Sequence, residues 1–317
     1  MRIKTATNTI KDREDKLIRT DIFNTACKSI DLAGFEMVLP GNSITRIGRG
    51  IRIKRLDYRN KNKGKDIMSV LMKAVDGCGA FDGVLVSGGI DSSVIAAIAK
   101  KKKEDIEFFT SGFPDSEDIK FSSILADSMG VNVNKAFLTD EKIKDIVVKL
   151  KSLGLDTYNV IIGITEYSAI KLAVSRGRRK LLSGIGSDEL FFGFAKHRLE
   201  RSASSLRSLR DERLSYINVT DMIRINKIAD CLGARVLSPY LNEEIVNFAL
   251  NMRIETTRDD IYHKTQLRLA GKKLGLDERI VERNKKAMQY GSGVMKHLEK
   301  LAVENGIKNV GEYIKRI

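Results

Sequence analysis

A glycine-containing loop with one carboxylate is the first feature of this sequence that could do chemistry, and that chemistry is phosphate binding. The loop lies between an apolar run and a predicted helix and reads Ser87-Gly88-Gly89-Ile90-Asp91-Ser92. Glycines let backbone N–H groups approach an anion closely, and the positive end of a helix dipole favours that anion. The spacing fits neither a Walker loop nor a dinucleotide fingerprint. Because Asp91 would repel a bare polyphosphate, we interpret it as a magnesium ligand.

A second group of chemistry-bearing residues follows another apolar run and reads Ser183-Gly184-Ile185-Gly186-Ser187-Asp188-Glu189-Leu190-Phe191-Phe192-Gly193. The glycine-containing loop resembles the pyrophosphate loop (PP-loop) of enzymes that split ATP between its α and β phosphates. That group includes GMP synthetase, argininosuccinate synthetase and tRNA lysidine synthetase. The second segment distinguishes among them, because it resembles the S-G-E-G-S-D-E-L-F-G-G segment of asparagine synthetases.

The resemblance to asparagine synthetases covers much of the chain. Further similar segments occur in the order that the family has them, at residues 109–118, 221–227, 234–241, 246–250 and 283–290. The sequence is therefore identified as a member of that family. The resemblance implies an ATP-dependent ligase that adenylates a carboxylate, aspartate by default, releases pyrophosphate and passes the acyl group to ammonia or another amine.

The resemblance also implies site residues, with ATP and Mg²⁺ as cofactors. The residues expected to bind ATP and its pyrophosphate portion are Leu85, Ser87, Gly88, Gly89, Asp91, Ser92, Ser111, Ser183 and Gly184. Asp91 and Asp188 would share magnesium. A lysine, Lys285 or Lys286, would stabilise the charge that develops on the α-phosphate. The choice between them stays open, because the local spacing departs from the family's R-x-K-x-G/Q-F pattern.

Ile185 departs from the family pattern at a position placed to act in amide formation. Asparagine synthetases carry glutamate there and the related β-lactam synthetase carries tyrosine, whereas isoleucine cannot accept a proton. Asp156 and Glu189 are the nearest carboxylates that could substitute. Asp156 is equally well explained as a helix cap and Glu189 as a structural residue.

The start of the sequence differs from that of full asparagine synthetases, which begin with a catalytic cysteine on a glutaminase domain. The first cysteine here is Cys27, and residues 39–54 resemble only the last strands of such a domain. We therefore expect nitrogen to come from free ammonia, another amine or a separate glutaminase subunit. Residues 1–65 are interpreted as a possible remnant of that domain.

Alternation of apolar strands and amphipathic helices between residues 81 and 184 predicts an α/β fold with a parallel sheet. Strands are predicted at 81–86, 106–110, 131–138 and 180–182, with helices at 91–102, 116–129 and 140–150 between them. Helices dominate afterwards, at 187–192, 196–213, 219–231, 243–250, 263–274 and 293–303. The predicted organisation is a PP-loop α/β core at about 66–195 and a helical half at about 196–317, together one domain.

Charge is concentrated at the front of the chain. The 317 residues carry a net charge of +15, and residues 1–65 hold 16 basic against 7 acidic side chains. Residues 44–54 alternate around a Gly-x-Gly turn, which predicts a hairpin with one basic face, and 176–180 form a second basic stretch. RNA is thus a conceivable partner but not the favoured one, since paired cysteines for thiolation and an RNA-binding module are missing.

A third hypothesis, a non-catalytic nucleotide-binding subunit, is motivated by Ile185 and by the missing glutaminase residues. Apolar runs are far shorter than the roughly 20 residues that a bilayer requires, and the basic start is not followed by a signal-peptide core. We expect no membrane partner and a cytoplasmic location.

Overall fold

A computed structural model of the protein describes residues 36–39, 42–47, 50–55, 66–194, 197, 202–252 and 264–317. Side chains are described only from residue 66 onward. None of the described helices is both long and apolar enough to cross a membrane.

The basic front region contains a small antiparallel sheet. Its strands are β1 (Glu36–Leu39), β2 (Asn42–Ile47) and β3 (Gly50–Arg55), paired in that order. The β2–β3 register opposes Ile47 to Gly50, so the predicted hairpin around the Gly-x-Gly turn is present. The basic face expected for this hairpin depends on side chains that lie outside the described part of the structure.

Five parallel strands form the central sheet. They are β4 (Gly83–Leu85), β5 (Glu107–Gly112), β6 (Val133–Phe137), β7 (Lys180–Leu182) and β8 (Arg235–Leu237), in the order β6-β5-β4-β7-β8. This topology confirms the predicted α/β class. The chain runs outward from β4 through β5 to β6 and then returns to β7 on the other side of β4. The carboxyl ends of β4 and β7 therefore border a topological switch point, where open parallel sheets bind ligands.

Helices cover both faces of this sheet. Those up to the second motif are α1 (Ile67–Gly77), α2 (Ile90–Lys102), α3 (Glu117–Ser128), α4 (Asp140–Ser152), α5 (Thr157–Ser175) and α6 (Ser187–Leu190). The later ones are α7 (Ala203–Tyr216), α8 (Asp221–Cys231), α9 (Glu243–Asn251), α10 (Thr265–Leu274), α11 (Glu278–Val281), α12 (Met288–Gly291), α13 (Val294–Glu304) and α14 (Val310–Arg316). Side chains alternate along β5, so buried Phe108 packs in one core and buried Phe109 in the other.

The sequence pattern missed α5, the longest described helix. Most of its residues from Val160 to Ala173 are buried, so the sequence lacks the polar face by which an amphipathic helix is recognised. The expected helix at 196–213 begins at Ala203 in the described part of the chain. The stretch predicted as the helical half also contains a strand, β8. The predicted α/β core and the predicted helical half therefore both contribute strands to the same sheet.

Candidate functional site

The phosphate loop leaves the carboxyl end of β4 and enters α2. Gly88 has a φ of +67°, and a Cβ there would lie 2.3 Å from the carbonyl carbon of Phe121, so only glycine fits. The Ser92 hydroxyl closes the loop: it accepts from the Ser87 backbone N–H at 3.2 Å and donates to the Gly89 carbonyl at 3.3 Å. The remaining N–H groups at the start of α2 form the type of site that favours an anion.

The carboxylates of the two sequence motifs meet at this edge of the sheet. Asp91 lies in the first turn of α2, and Asp188 lies in the first turn of α6, which follows β7. Lys264, which precedes α10, donates to Asp91 Oδ1 and to Asp188 Oδ1, at 2.6 Å in each case. Its third proton reaches Ser187 Oγ at 3.3 Å. One buried ammonium group thus links both motifs.

The segment after α11 adds a second ammonium group and separates the two lysine candidates. Lys285 Nζ lies 2.7 Å from Asp188 Oδ2 and 3.5 Å from Asp91 Oδ2. Lys286 instead pairs with Glu117 at 2.7 Å, with both side chains largely exposed. The structure therefore places Lys285, and not Lys286, against the two carboxylates.

The charges of this cluster shift the pKa values of Asp188 and Lys285. Burial by itself raises the pKa of Asp188, but Lys264 and Lys285 outweigh it and hold that pKa well below the usual range. Burial likewise lowers the pKa of Lys285, and the charges of Asp188 and Asp91 reverse this and raise it. Both groups stay charged at neutral pH.

Gly193, the last residue of the second motif, makes room for Lys264. A Cβ at this position would lie 1.9 Å from Asp188 Oδ1 and 2.5 Å from Lys264 Cε. Lys264 has a φ of +54°, and its side chain is 4% exposed. Sequence reasoning missed this lysine, because a lysine in the first turn of the helix predicted at 263–274 is indistinguishable from the many surface lysines of a basic chain, whereas the observed helix begins one residue later, at Thr265.

Arg283 ties the lysine-bearing segment to the phosphate loop. Its Nη1 donates to the Ser87 carbonyl at 2.6 Å, its Nη2 donates to Asp118 Oδ1 at 2.7 Å, and its guanidinium lies 4.3 Å from the centre of the Phe121 ring. Burial raises the pKa of Asp118, while the charge of Arg283 opposes that rise. Because Arg283 lies two residues before Lys285, it fixes where that lysine emerges.

The second motif is anchored to β8. The Ser183 backbone N–H donates to the Leu237 carbonyl at 2.9 Å, and the Ser238 hydroxyl donates to the Ile185 carbonyl. The half-buried side chain of Ile185 packs against both hydrophobic cores. Ile185 therefore contributes apolar packing where asparagine synthetases carry an acid.

The other expected ATP-binding residues lie near the same edge. Leu85 is the last residue of β4, and Ser111, near the end of neighbouring β5, is buried with no hydrogen-bond partner for its hydroxyl. Gly184 packs against the first turn of α2, where a Cβ would be 3.0 Å from the Ser92 backbone nitrogen. An orphaned hydroxyl beside the loop fits a bound nucleotide, which would supply its missing partner.

The two alternative carboxylates have different surroundings. Asp156 caps α5: its two oxygens accept from the backbone and side-chain nitrogens of Asn159, both at 2.9 Å. Glu189 is buried beside Asp188, and burial, reinforced by the charges of Asp188 and Asp221, raises its pKa to about 8. The structure thus engages Asp156 in capping and keeps Glu189 next to the carboxylate cluster.

The donor set at Asp91 and Asp188 fits magnesium. The described residues contain no group of three or more His, Cys, Asp or Glu side chains arranged around a metal position. Magnesium, however, binds through one or two carboxylates together with substrate phosphates and water. Both carboxylates already reach a single cationic atom, Lys264 Nζ, so they can share one cation position.

Comparison with known proteins identifies relatives of this chain. The asparagine synthase family model matches residues 82–218 and 201–307. A putative glutamine-hydrolysing asparagine synthetase 1 of Methanocaldococcus jannaschii is 27% identical over 270 residues, covering 73% of this chain and 50% of the relative. The glutamine-hydrolysing asparagine synthetase B of Escherichia coli is 27% identical over 188 residues, covering 54% of this chain and 34% of the relative.

This chain spans half or less of the length of these two relatives. Among solved structures, an NMN synthetase from Francisella tularensis matches with a TM-score of 0.41 and 14% identity, covering 78% of this chain and 90% of that one. Family membership rests on the sequence comparisons alone. Since the family model matches well over half of the residues of this chain, the chain belongs to the asparagine synthase family.

Proposed function

We propose that this protein is an ATP- and magnesium-dependent ligase that adenylates a small carboxylate, aspartate by default, and transfers the acyl group to ammonia or another amine. One observation carries the proposal. Asp91 of the phosphate loop and Asp188 of the second motif share the Lys264 ammonium group, with Lys285 on their other oxygens. A phosphate loop can hold the anion, two converging acids can hold a metal ion, and two lysines can stabilise charge that develops on a phosphoryl group.

In the first half-reaction, a substrate carboxylate oxygen attacks the α-phosphorus of ATP. An oxygen–phosphorus bond forms, the bond from the α-phosphorus to the bridging oxygen breaks, and pyrophosphate leaves. We assign Ser87, Gly88, Gly89 and Ser92 to the pyrophosphate portion, because their loop opens α2. Lys285, and Lys264 once it is free of the carboxylates, would stabilise the charge on the phosphate oxygens.

Asp91 and Asp188 would hold magnesium, which when bound neutralises phosphate charge and orients the triphosphate. Ser183 and Gly184 would border the AMP portion, since Gly184 lies against the start of α2. Ser111, with its unpartnered hydroxyl, would donate to or accept from the nucleotide. These residues bind and orient, so catalysis in this half rests on positioning and electrostatics.

In the second half-reaction, the amine nitrogen attacks the acyl carbon of the mixed anhydride, AMP leaves and the nitrogen loses a proton. Ile185 cannot take that proton. We assign proton transfer to Glu189 in preference to Asp156, because Glu189 adjoins Asp188 whereas Asp156 caps α5. The nitrogen source would be ammonia, an amine or a separate glutaminase subunit, and the reaction would take place in the cytoplasm.

The basic stretch at 176–180 gives little support to an RNA substrate. Arg176 and Arg178 both pair with Glu107 at 2.7 Å. The backbone N–H groups of residues 179 and 180 donate to Asp82. Three of the arginines in this stretch are thus held by contacts within the fold, since Arg176 and Arg178 share the Glu107 carboxylate and the Arg179 side chain donates to the Gly233 carbonyl.

Exchange of labelled pyrophosphate into ATP tests the proposal, because it reports adenylation without needing the amine. We expect metal-dependent exchange with at least one member of a panel of small carboxylates, aspartate included. Each active carboxylate would then be tested for amide formation with ammonia and with glutamine. No exchange with any carboxylate, together with exchange that depends on added tRNA, would favour the RNA-modifying alternative and contradict the proposal.

A further inference from the structure

Two lysines occupy all four oxygens of Asp91 and Asp188. Lys264 Nζ takes one oxygen of each carboxylate at 2.6 Å. Lys285 Nζ takes the other two, at 2.7 Å from Asp188 and 3.5 Å from Asp91. The two positive and two negative charges balance, so the acids are already neutralised before any cation binds.

Lys264 is the more tightly held of the two lysines. Each of its three N–H protons has an acceptor, the third being Ser187 Oγ at 3.3 Å, and its side chain is only 4% exposed. The Lys285 side chain is 35% exposed, and its second carboxylate contact, to Asp91, is longer at 3.5 Å. Gly193 leaves just enough room for Lys264, because a Cβ at position 193 would lie 2.5 Å from Lys264 Cε.

A divalent cation that enters alone must displace Lys264 from both carboxylates. The displaced ammonium would then remain buried without an anion, and an unpaired buried charge is strongly unfavourable. A polyphosphate that enters alone meets two carboxylates and lysines that are already paired. When both enter together, the cation takes the carboxylates and the phosphate oxygens become the new partners of the lysine.

We propose that Lys264 is a built-in counter-ion that makes the binding of a divalent cation and of a nucleoside triphosphate mutually dependent. The proposal rests on the assignment of Asp91 and Asp188 as metal ligands under the proposed function. By linkage, the factor by which the cation strengthens nucleotide binding equals the factor by which the nucleotide strengthens cation binding. Lys264 therefore excludes the cation until the nucleotide arrives.

Mn²⁺ binding to the nucleotide-free full chain, followed by electron paramagnetic resonance, tests the proposal without using activity. Lys264→Met keeps the length of the aliphatic chain and removes the ammonium group. We expect this variant to bind Mn²⁺ about tenfold or more tightly than wild type, within the usual range for coupled sites. The matched control is Lys286→Met, whose partner is Glu117, and it should bind Mn²⁺ as wild type does.

A second measurement needs only the wild-type protein. Binding of α,β-methylene-ATP, titrated by calorimetry in EDTA and then in excess Mn²⁺, should be about tenfold or more stronger with the metal. The ratio of the nucleotide affinity in Mn²⁺ to that in EDTA should be smaller for Lys264→Met than for wild type. Equal Mn²⁺ binding by wild type and Lys264→Met, or equal nucleotide binding with and without metal, would overturn the counter-ion role.

The Asp188→Asn variant separates this proposal from the proposed function. If Asp188→Asn binds Mn²⁺ as tightly as wild type in the presence of the nucleotide analogue, the metal assignment fails, and the counter-ion role fails with it. If Asp188→Asn loses Mn²⁺ binding while wild type and Lys264→Met bind equally, only the counter-ion role is overturned. Loss of Mn²⁺ binding in Asp188→Asn, together with tighter Mn²⁺ binding by Lys264→Met, supports both the metal assignment and the counter-ion role.

Discussion

Replacing Lys285 by methionine should strongly slow adenylation while leaving the fold intact. Lys285 Nζ lies 2.7 Å from Asp188 and 3.5 Å from Asp91, on the more open side of the carboxylate pair. Both acids have a second partner in Lys264, at 2.6 Å in each case, and the substitution does not remove it. The carboxylates therefore stay paired, and the loss falls on the charge that develops in the transition state.

The magnitude follows from what each contact can contribute. Loss of one preorganised donor to a developing negative charge lowers kcat by about 100- to 1000-fold, or about 3–4 kcal/mol. The effect on folding should be small, about 1 kcal/mol or less, because the Lys285 side chain is 35% exposed and its ion pairs are screened by water. Activity and stability should thus separate clearly.

Lys286→Met is the matched control, because it removes the same group one residue away. Lys286 pairs with Glu117, and both side chains are more than 40% exposed, so exchange should stay within about twofold of wild type. Pyrophosphate exchange and urea denaturation would be measured on both variants. Near-normal exchange in Lys285→Met, or a larger loss in Lys286→Met, would refute the assignment of Lys285.

Three further substitutions test other parts of the account. Arg283→Lys keeps the positive charge, but a lysine cannot contact the Ser87 carbonyl and the Asp118 carboxylate at the same time, so the KM for ATP should rise about tenfold. An unchanged KM in steady-state exchange would count against this role of Arg283. Ile185→Glu introduces a carboxylate among apolar side chains and should slow amide formation about tenfold or more; faster asparagine formation would show instead that position 185 carries proton transfer. Hydrogen bonds from Arg279 lower the pKa of Asp277 to about 2, so this contact stabilises the fold above pH 4 and the stabilisation is lost as pH falls toward 2. Asp277→Ala should therefore cost about 1 kcal/mol in urea denaturation at pH 7 and close to nothing at pH 2; an equal cost at both pH values would contradict this contact's role.

The sequence predicted the local elements of the site well, because their signals are local. Gly88 and Gly89 mark a tight turn after an apolar run, and an acid in the first helical turn marks a charged helix start. Parallel pairing of β4 with β7 then brings the two motifs to one edge. The phosphate loop could therefore be located from residue types and spacing, whereas the second motif was recognised by its resemblance to asparagine synthetases.

What the sequence could not predict depends on distant contacts. Lys264 acts through a side chain that passes Gly193 to reach two carboxylates far away along the chain. The choice of Lys285 over Lys286 depends on the path of an irregular segment that Arg283 fixes, and no periodicity encodes that path. Helix α5 was missed for a different reason, since a helix buried on nearly all sides has no amphipathic pattern.

Metal-dependent pyrophosphate exchange by Asp188→Asn measures whether Asp91 and Asp188, from separate motifs, form one ATP-activating site. Asp76→Asn is the control, because Asp76 is exposed and pairs with Lys102 on the surface. We expect Asp188→Asn to lose exchange by about 1000-fold or more while folding normally, and Asp76→Asn to match wild type. Wild-type exchange in Asp188→Asn at ordinary magnesium concentration would contradict this expectation.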